Sequence, residues 1–313
     1  MPNTLGHLGV QSFLTRSAFK KSGLIWIYIG LLIPDFPWIL QRIIKAVLPG
    51  ADLYDVRLYC VVQASLFFSL VLAAALALIS TDFKKVFTLL SVNVLLHLIL
   101  DSFETKWGNG IQLFVPFNWS IINFGLFWPE SIPIYLITAI GLVYILIKWK
   151  DALEPSVLFR FNKNRIIFFS IILMLYLIIP LFLMGEAEAA NNHYIETLRN
   201  ADQHAGKYFE VDRGTYENSD AGGKFITPFN KEYKVFGREL DENGTLSIKA
   251  KFLSEDEMEI IDYHFHSAPL RNIPSYIGLL LIFIITFKVS RRSMEKLPPA
   301  QSFSGKEIPD SVN

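Results

Sequence analysis

Residues 86–101 form a run apolar enough for a membrane helix, yet the run carries His97 and Asp101 four residues apart. At that spacing two side chains share one helix face. An ionisable group in the middle of such a helix costs roughly 2.5–3.5 kcal/mol on insertion scales, so it usually marks a site. Together with His7 and the Pro34-Asp35 step, the pair points to a metal site built into a membrane protein.

The composition agrees. The chain has 313 residues and is 52% hydrophobic, too apolar for an ordinary soluble protein of this size. Its formal net charge is zero, so no global field points to nucleic acid as a partner. The single cysteine, Cys60, excludes an internal disulfide and a cysteine-based zinc site. Residues 1–10 have no basic stretch before an apolar core, so no cleavable signal peptide is expected.

Five runs read as membrane helices: 58–80, 86–101, 132–147, 166–184 and 273–289. Several fall short of the ~20 residues that cross the hydrocarbon core comfortably. The apolar stretch 24–40 is interrupted by Pro34-Asp35-Phe36-Pro37. Proline removes a backbone donor and restricts the residue before it, which predicts a helix end near Ile33. Residues 5–33 then fit a helical hairpin with its turn at Lys20-Lys21-Ser22-Gly23. Arms of nearly equal length put His7 and Asp35 at the same depth. Whether the hairpin crosses or re-enters is open, so the expected total is about five to seven membrane helices.

Orientation follows the lysines and arginines of short loops. Lys148, Lys150, Arg160, Lys163 and Arg165 mark one cytoplasmic loop, and Arg291, Arg292 and Lys296 mark a cytoplasmic tail. Lys84 and Lys85 fall on the same side by counting spans, and so do Lys20 and Lys21 if the hairpin crosses. His97 and Asp101 then lie toward the extracytoplasmic leaflet, level with His7 and Asp35.

Residues 185–272 differ in kind, holding 17 Asp and Glu against 10 Lys and Arg. Strand-like runs occupy 207–216, 232–238, 245–252 and 259–267. In the third, Leu246, Ile248, Ala250 and Phe252 alternate with Ser247, Lys249 and Lys251, the period of a half-buried strand. Asp241-Glu242-Asn243-Gly244 before it is a turn signal. Four or five short strands suggest a small all-β barrel, with an OB-like form as a candidate. The expected fold is thus a polytopic α-helical membrane protein (residues 1–184 and a last helix at 273–290) with an inserted extramembrane β-rich domain at 185–272. A disordered cytoplasmic tail is expected at 291–313.

Histidine and carboxylate donors suit Zn²⁺ and related divalent metals. A hydrolytic site uses three or four such ligands and leaves a position for water, whose pKa falls toward ~7. His7, Asp35, His97 and Asp101 are the candidate ligands. Each stands at a helix start, break or end, where separate helices can converge. The structural alternatives are a helix-to-helix hydrogen bond for His97, a helix end for Asp101 and a turn or cap for Asp35. Gln63 and Ser65, inside the long helix, are candidates for orienting substrate or for joining helices. The aromatic stretch with Gly108, Gly110, Trp119, Phe124, Phe127 and Trp128 reads as an interfacial loop or as a lid over the site. Asp262, His264 and His266 share one face of the last strand, which reads more readily as a polar exposed face than as a metal site.

Gly6-His7-Leu8, Leu32-Ile33-Pro34-Asp35, His97-x-x-x-Asp101 and Gly110-Ile111-Gln112-Leu113-Phe114-Val115-Pro116, in that order, resemble a bacterial family. It is the YdjM-like family, described as inner-membrane-associated metal-dependent hydrolases, and the resemblance covers about residues 1–119. It implies that His7, Asp35, His97 and Asp101 are the family's metal-type positions. Members commonly carry His-Arg-Gly-x-Thr-His-Ser before the long helix. Here the comparable stretch is Tyr59-Cys60-Val61-Val62-Gln63-Ala64-Ser65, which keeps only the serine.

The expected function is a membrane-embedded hydrolase of the bacterial inner membrane, acting on an ester or phosphoester in a lipid-like or envelope substrate. The alternative is a non-catalytic scaffold whose external β domain binds a protein or envelope component. A transporter is a third reading, although no inverted repeat supports it.

Overall fold

The computed structural model describes residues 3–20, 23–154, 159–219, 222–237, 240 and 242–295. Lys21 and Ser22 of the hairpin turn, Arg238, Asp241 and the tail from Lys296 lie outside them.

Asn3 starts the first helix, α1 (Thr4–Ala18), by accepting the Gly6 amide proton at 3.0 Å. The chain returns as α2 (Leu24–Leu32), so the expected hairpin forms. Its first arm packs against α7 (Ile132–Ile147) so closely that a Cβ on Gly9 would stand 2.0 Å from the Gly141 Cα. Small residues at a crossing permit such an approach.

The Pro34–Pro37 break ends α2 as expected, but the chain then re-enters a helix, α3 (Phe36–Val47), bent by 55° from α2. Pro37 sits in its first turn, where a missing N–H leaves no bond unmade. The expected helix 58–80 is instead two, α4 (Leu53–Gln63) and α5 (Leu66–Leu78), bent by 70°. Ser65 breaks it by taking an extended backbone, φ −67° and ψ 162°. The run with His97 and Asp101 becomes α6 (Phe83–Ser102).

After α7 come the short α8 (Trp149–Ala152) and then α9 (Lys163–Ile178). A 3₁₀ turn links α9 to α10 (Met184–Ala190), so the expected boundary after residue 184 falls inside a continuous helical stretch. The short α11 (Thr197–Arg199) leads to the β domain, and α12 (Ala268–Glu295) follows it. Residues 291–295, expected in a disordered tail, extend this last helix.

Three helical stretches are long and apolar enough to cross a membrane: Phe83–Ser102, Lys163–Ala190 and Arg271–Arg292. The number rises to five if each bent pair is one span, and Ile132–Ile147, with 16 residues, is shorter.

Basic side chains gather at one end of the bundle. Arg16 at the end of α1 pairs with Asp151 at 3.0 Å. Arg165 at the start of α9 donates to the Leu78 and Ser80 carbonyls. Arg292 near the end of α12 reaches the Leu153 carbonyl at 3.1 Å. The β domain and the far end of α6 lie at the other end.

Five strands, β1 (Tyr208–Ser219), β2 (Gly222–Ile226), β3 (Glu232–Phe236), β4 (Gly244–Phe252) and β5 (Glu257–Phe265), close a barrel in the order β1-β2-β3-β5-β4. All pairings are antiparallel except β3 with β5. Leu246, Ile248, Ala250 and Phe252 point into the barrel core as their alternation predicts. β2 escaped the pattern because it is short and opens on two glycines.

The stretch 103–131 forms a layer between bundle and barrel. The Gly108 amide donates to Glu210 of β1 at 2.8 Å, and Asn109 reaches Asp212 at 3.3 Å. Gly108 has φ +68°, and a Cβ there would stand 2.5 Å from the Glu210 carbonyl oxygen, so only glycine fits the approach.

Candidate metal centre

Four side chains from three places in the bundle meet at the barrel end of α6. His7 Nε2 of α1 lies 3.2 Å from Asp101 Oδ1. His97 Nε2 lies 3.5 Å from Asp35 Oδ1 and 3.9 Å from Asp101 Oδ1. The two imidazoles stack, with centroids 4.0 Å apart and planes 7° from parallel. Both histidines are fully buried. Ligand atoms of His7, His97 and Asp101 all fall within 4.8 Å of one another, a spacing that could hold a metal ion.

The fit to a cation rests on orphaned polar atoms. Asp35 stands at the start of α3 but makes no capping bond, and its buried Oδ1 has no hydrogen-bond partner. Both ring nitrogens of His97 also lack one. Buried polar atoms are nearly always paired, so a cluster of orphans that face each other needs an explanation. The donor set is one that could hold a metal ion.

Gln11, one turn along α1, addresses the other nitrogen of His7, with its Nε2 at 2.9 Å from Nδ1. Its Oε1 is buried and unpaired. Amide oxygen and nitrogen are interchangeable by a flip. Turned over, Gln11 Oε1 accepts from His7 Nδ1–H, and the lone pair of His7 Nε2 faces the cluster. An outer partner of this kind is what orients a metal-binding histidine.

Lys106 sets the charge. Its Nζ lies 3.2 Å from Asp101 Oδ2 and 3.8 Å from Glu104 Oε2. Burial opposes the ammonium charge, but the Asp101 and Glu104 carboxylates outweigh it and hold Lys106 above its ordinary value.

A cavity of about 20 Å³ adjoins the cluster, bordered by His97, Asp101, Ala64 and Gln112. Space of that size admits about one water. Both side-chain polar atoms of Gln112 are buried without partners. Its motif was visible in the sequence, but its role was not, because nothing local distinguishes a loop glutamine that turns inward. Gln63 takes another direction: its amide donates to the Tyr59 hydroxyl at 2.9 Å and the Tyr176 carbonyl at 3.4 Å, joining α4 to α9. This is the helix-joining role, and the geometry gives Gln63 no contact with the cluster. Ser65 is buried at the α4–α5 bend with its hydroxyl unpaired. Ala64 borders the cavity with no ligating atom.

A second group, Glu130, His264 and His266, could also hold a metal. His266 Nδ1 lies 3.2 Å from both Glu130 oxygens, and His264 stacks on Trp128 at 3.8 Å. The Arg213 guanidinium also reaches Glu130, at 3.2 Å. Burial works against the Glu130 charge, but His264, His266 and Arg213 outweigh it and hold the carboxyl well below its ordinary range. Asp262, expected on the same face, is exposed and accepts from the Tyr263 amide instead. Glu130 was not legible as a partner because it comes from a loop remote in sequence.

No family model, no curated protein and no solved structure matches this chain.

Proposed function

We propose that the chain is a membrane-embedded hydrolase of the bacterial inner membrane. Its site holds a divalent metal, zinc by donor type, on His7, Asp35, His97 and Asp101, and it cleaves an ester or phosphoester in a lipid-like substrate. The observation that carries this reading is the convergence of two imidazoles and two carboxylates, with orphaned ligand atoms, inside the bundle. A divalent ion held by these four residues would supply Lewis acidity to activate water. The chain's own groups supply the rest. Gln112 presents an unpaired amide to a space for about one water, and Lys106 balances charge beside Asp101. The motifs shared with the YdjM-like family lead to the same reading.

Membrane insertion is supported by inside-out packing. Lys163–Ala190 is long and apolar enough to cross a membrane, yet only 11% of its most apolar stretch is buried. An apolar surface of that extent favours a lipid surrounding over water. The basic end of the bundle supports a cytoplasmic placement of that end, with the barrel outside. The strand order with one parallel closure supports an OB-like reading of the barrel.

The test is metal content by mass spectrometry on purified protein, paired with hydrolysis of ester and phosphoester lipids. Stoichiometric metal that disappears together with turnover in His97→Ala and Asp101→Ala is expected. Metal-free wild type that stays folded would overturn the reading and favour the non-catalytic scaffold.

A further inference from the structure

Between bundle and barrel lies a cavity of about 270 Å³, and Asp101 borders both this cavity and the smaller one beside His97. Its wall carries six cationic side chains, Arg42, Lys45, Arg57, Lys106, Arg213 and Arg271, against two carboxylates, Asp101 and Asp212. Part of this charge is committed. Lys106 pairs with Asp101, Arg213 with Glu130, and Lys45 donates to the Pro228 carbonyl at 2.7 Å. Among the described residues, no carboxylate lies within ion-pair distance of Arg42, Arg57 or Arg271. Arg57 instead stands 4.5 Å over the Trp38 ring, and its Nε is buried without a hydrogen-bond partner.

These cations come from five places in the chain, Lys106 from the loop layer after α6. α3 supplies Arg42 and Lys45, α4 supplies Arg57, the barrel supplies Arg213 and α12 supplies Arg271. Like charges drawn together from distant elements repel, so a concave wall of this composition is stable when an anion fills it. Asp212 offsets part of this charge, since Arg213, Arg271 and Arg57 all act on its carboxylate; a carboxylic ester is neutral and adds nothing to that offset. A phosphoester brings its own negative charge and several acceptor oxygens, which suit arginine forks.

Resting on the hydrolase reading, we propose that this cavity seats the phosphoryl group of the substrate, so that the substrate is a phosphoester and the barrel forms one wall of its site. The exposed apolar residues Ile43, Val47 and Leu48 on and just after α3 flank the cationic pair Arg42 and Lys45 and favour a lipid as the carrier of that group.

The experiment is calorimetric titration of the full chain in a maltoside detergent, with chelator present so that binding does not depend on metal. The probes are dioctanoyl phosphatidate, dioctanoylglycerol, octanoate and glycerol phosphate. Phosphatidate is expected to bind at least tenfold more tightly than dioctanoylglycerol and octanoate, with an affinity that falls as salt rises. The double variant Arg42→Gln, Arg271→Gln is expected to lose at least tenfold, and Arg42→Lys, Arg271→Lys to lose less. If the Gln variant does not fold, the salt dependence and the Lys variant carry the test. Glycerol phosphate binding as tightly as phosphatidate supports a phosphoryl site and assigns it to a soluble ester. Equal binding of dioctanoylglycerol or octanoate, or no loss in a folded Gln variant, overturns the proposal. Metal-dependent cleavage of a carboxylic ester without phosphatidate binding would overturn this proposal alone. Phosphatidate binding by a protein that never takes up metal would leave the seat standing and remove the hydrolase.

Discussion

His7 and His97 stack face to face at 4.0 Å, although one lies at the start of the first helix and the other near the end of the sixth. Two imidazoles in that position cannot both be protonated without repulsion. In the proposed reading a shared cation would take a lone pair from each.

Metal should therefore stabilise the fold. A ligand present at about 100 times its Kd adds about 2.7 kcal/mol to a protein that binds it only when folded. Chelator is expected to lower the Tm of the wild type by several degrees and to leave His97→Ala unchanged. Calorimetric scans with and without chelator decide it, and equal shifts in both proteins would count against the site.

Gln11→Leu should weaken metal binding without abolishing it. Outer partners of metal-bound histidines contribute about 10–100-fold in affinity. A competition titration with a chromogenic chelator measures the loss. An unchanged affinity would mean that the amide does not hold the His7 ring.

Gly9→Ala should loosen the α1–α7 contact, because the new methyl would meet the Gly141 backbone. Overpacking of this kind costs about 1–3 kcal/mol. Since α1 carries His7, the variant is expected to lose both thermal stability and metal, readable in one preparation by melting and mass spectrometry.

Glu130→Ala removes the group on which His266 and Arg213 converge. Leaving partners of a half-buried carboxylate unsatisfied costs about 1–3 kcal/mol. The barrel is expected to detach from the loop layer before the bundle melts. Faster proteolysis between bundle and barrel would show it, and unchanged protection would refute it.

Acid should weaken the same docking through Asp212. Burial raises its pKa, but Arg213 and Arg271 outweigh burial and hold the carboxyl below its ordinary value. A depressed folded pKa means the contribution is complete above the unfolded value of about 3.9 and is lost as pH falls through the folded one. Protease protection of the barrel should fall in that acid window, and Asp212→Asn should show a smaller dependence on pH there.

Much of this arrangement could be read from the chain. His97 and Asp101 at i and i+4 in an apolar run had to face inward, and Pro34-Asp35 had to end a helix. The hairpin arms had to bring His7 back toward Asp35. Periodicity could not reveal α3, because Pro34 and Pro37 mask a helix that begins between them. Nor could it reveal the bend at Ser65, where an apolar run continues unbroken through a change of direction.

The sequence by itself determined the candidate ligands, the apolar helices and the β character of the inserted segment, because those depend on local periodicity, proline and charge. The tertiary structure alone decided that Gln112 rather than Gln63 borders the centre and that Glu130 meets His266. It also decided that six cations from bundle, loop layer and barrel line one cavity. Those relations depend on which distant faces pack together, and a side chain's direction across a loop leaves no periodic trace in the chain.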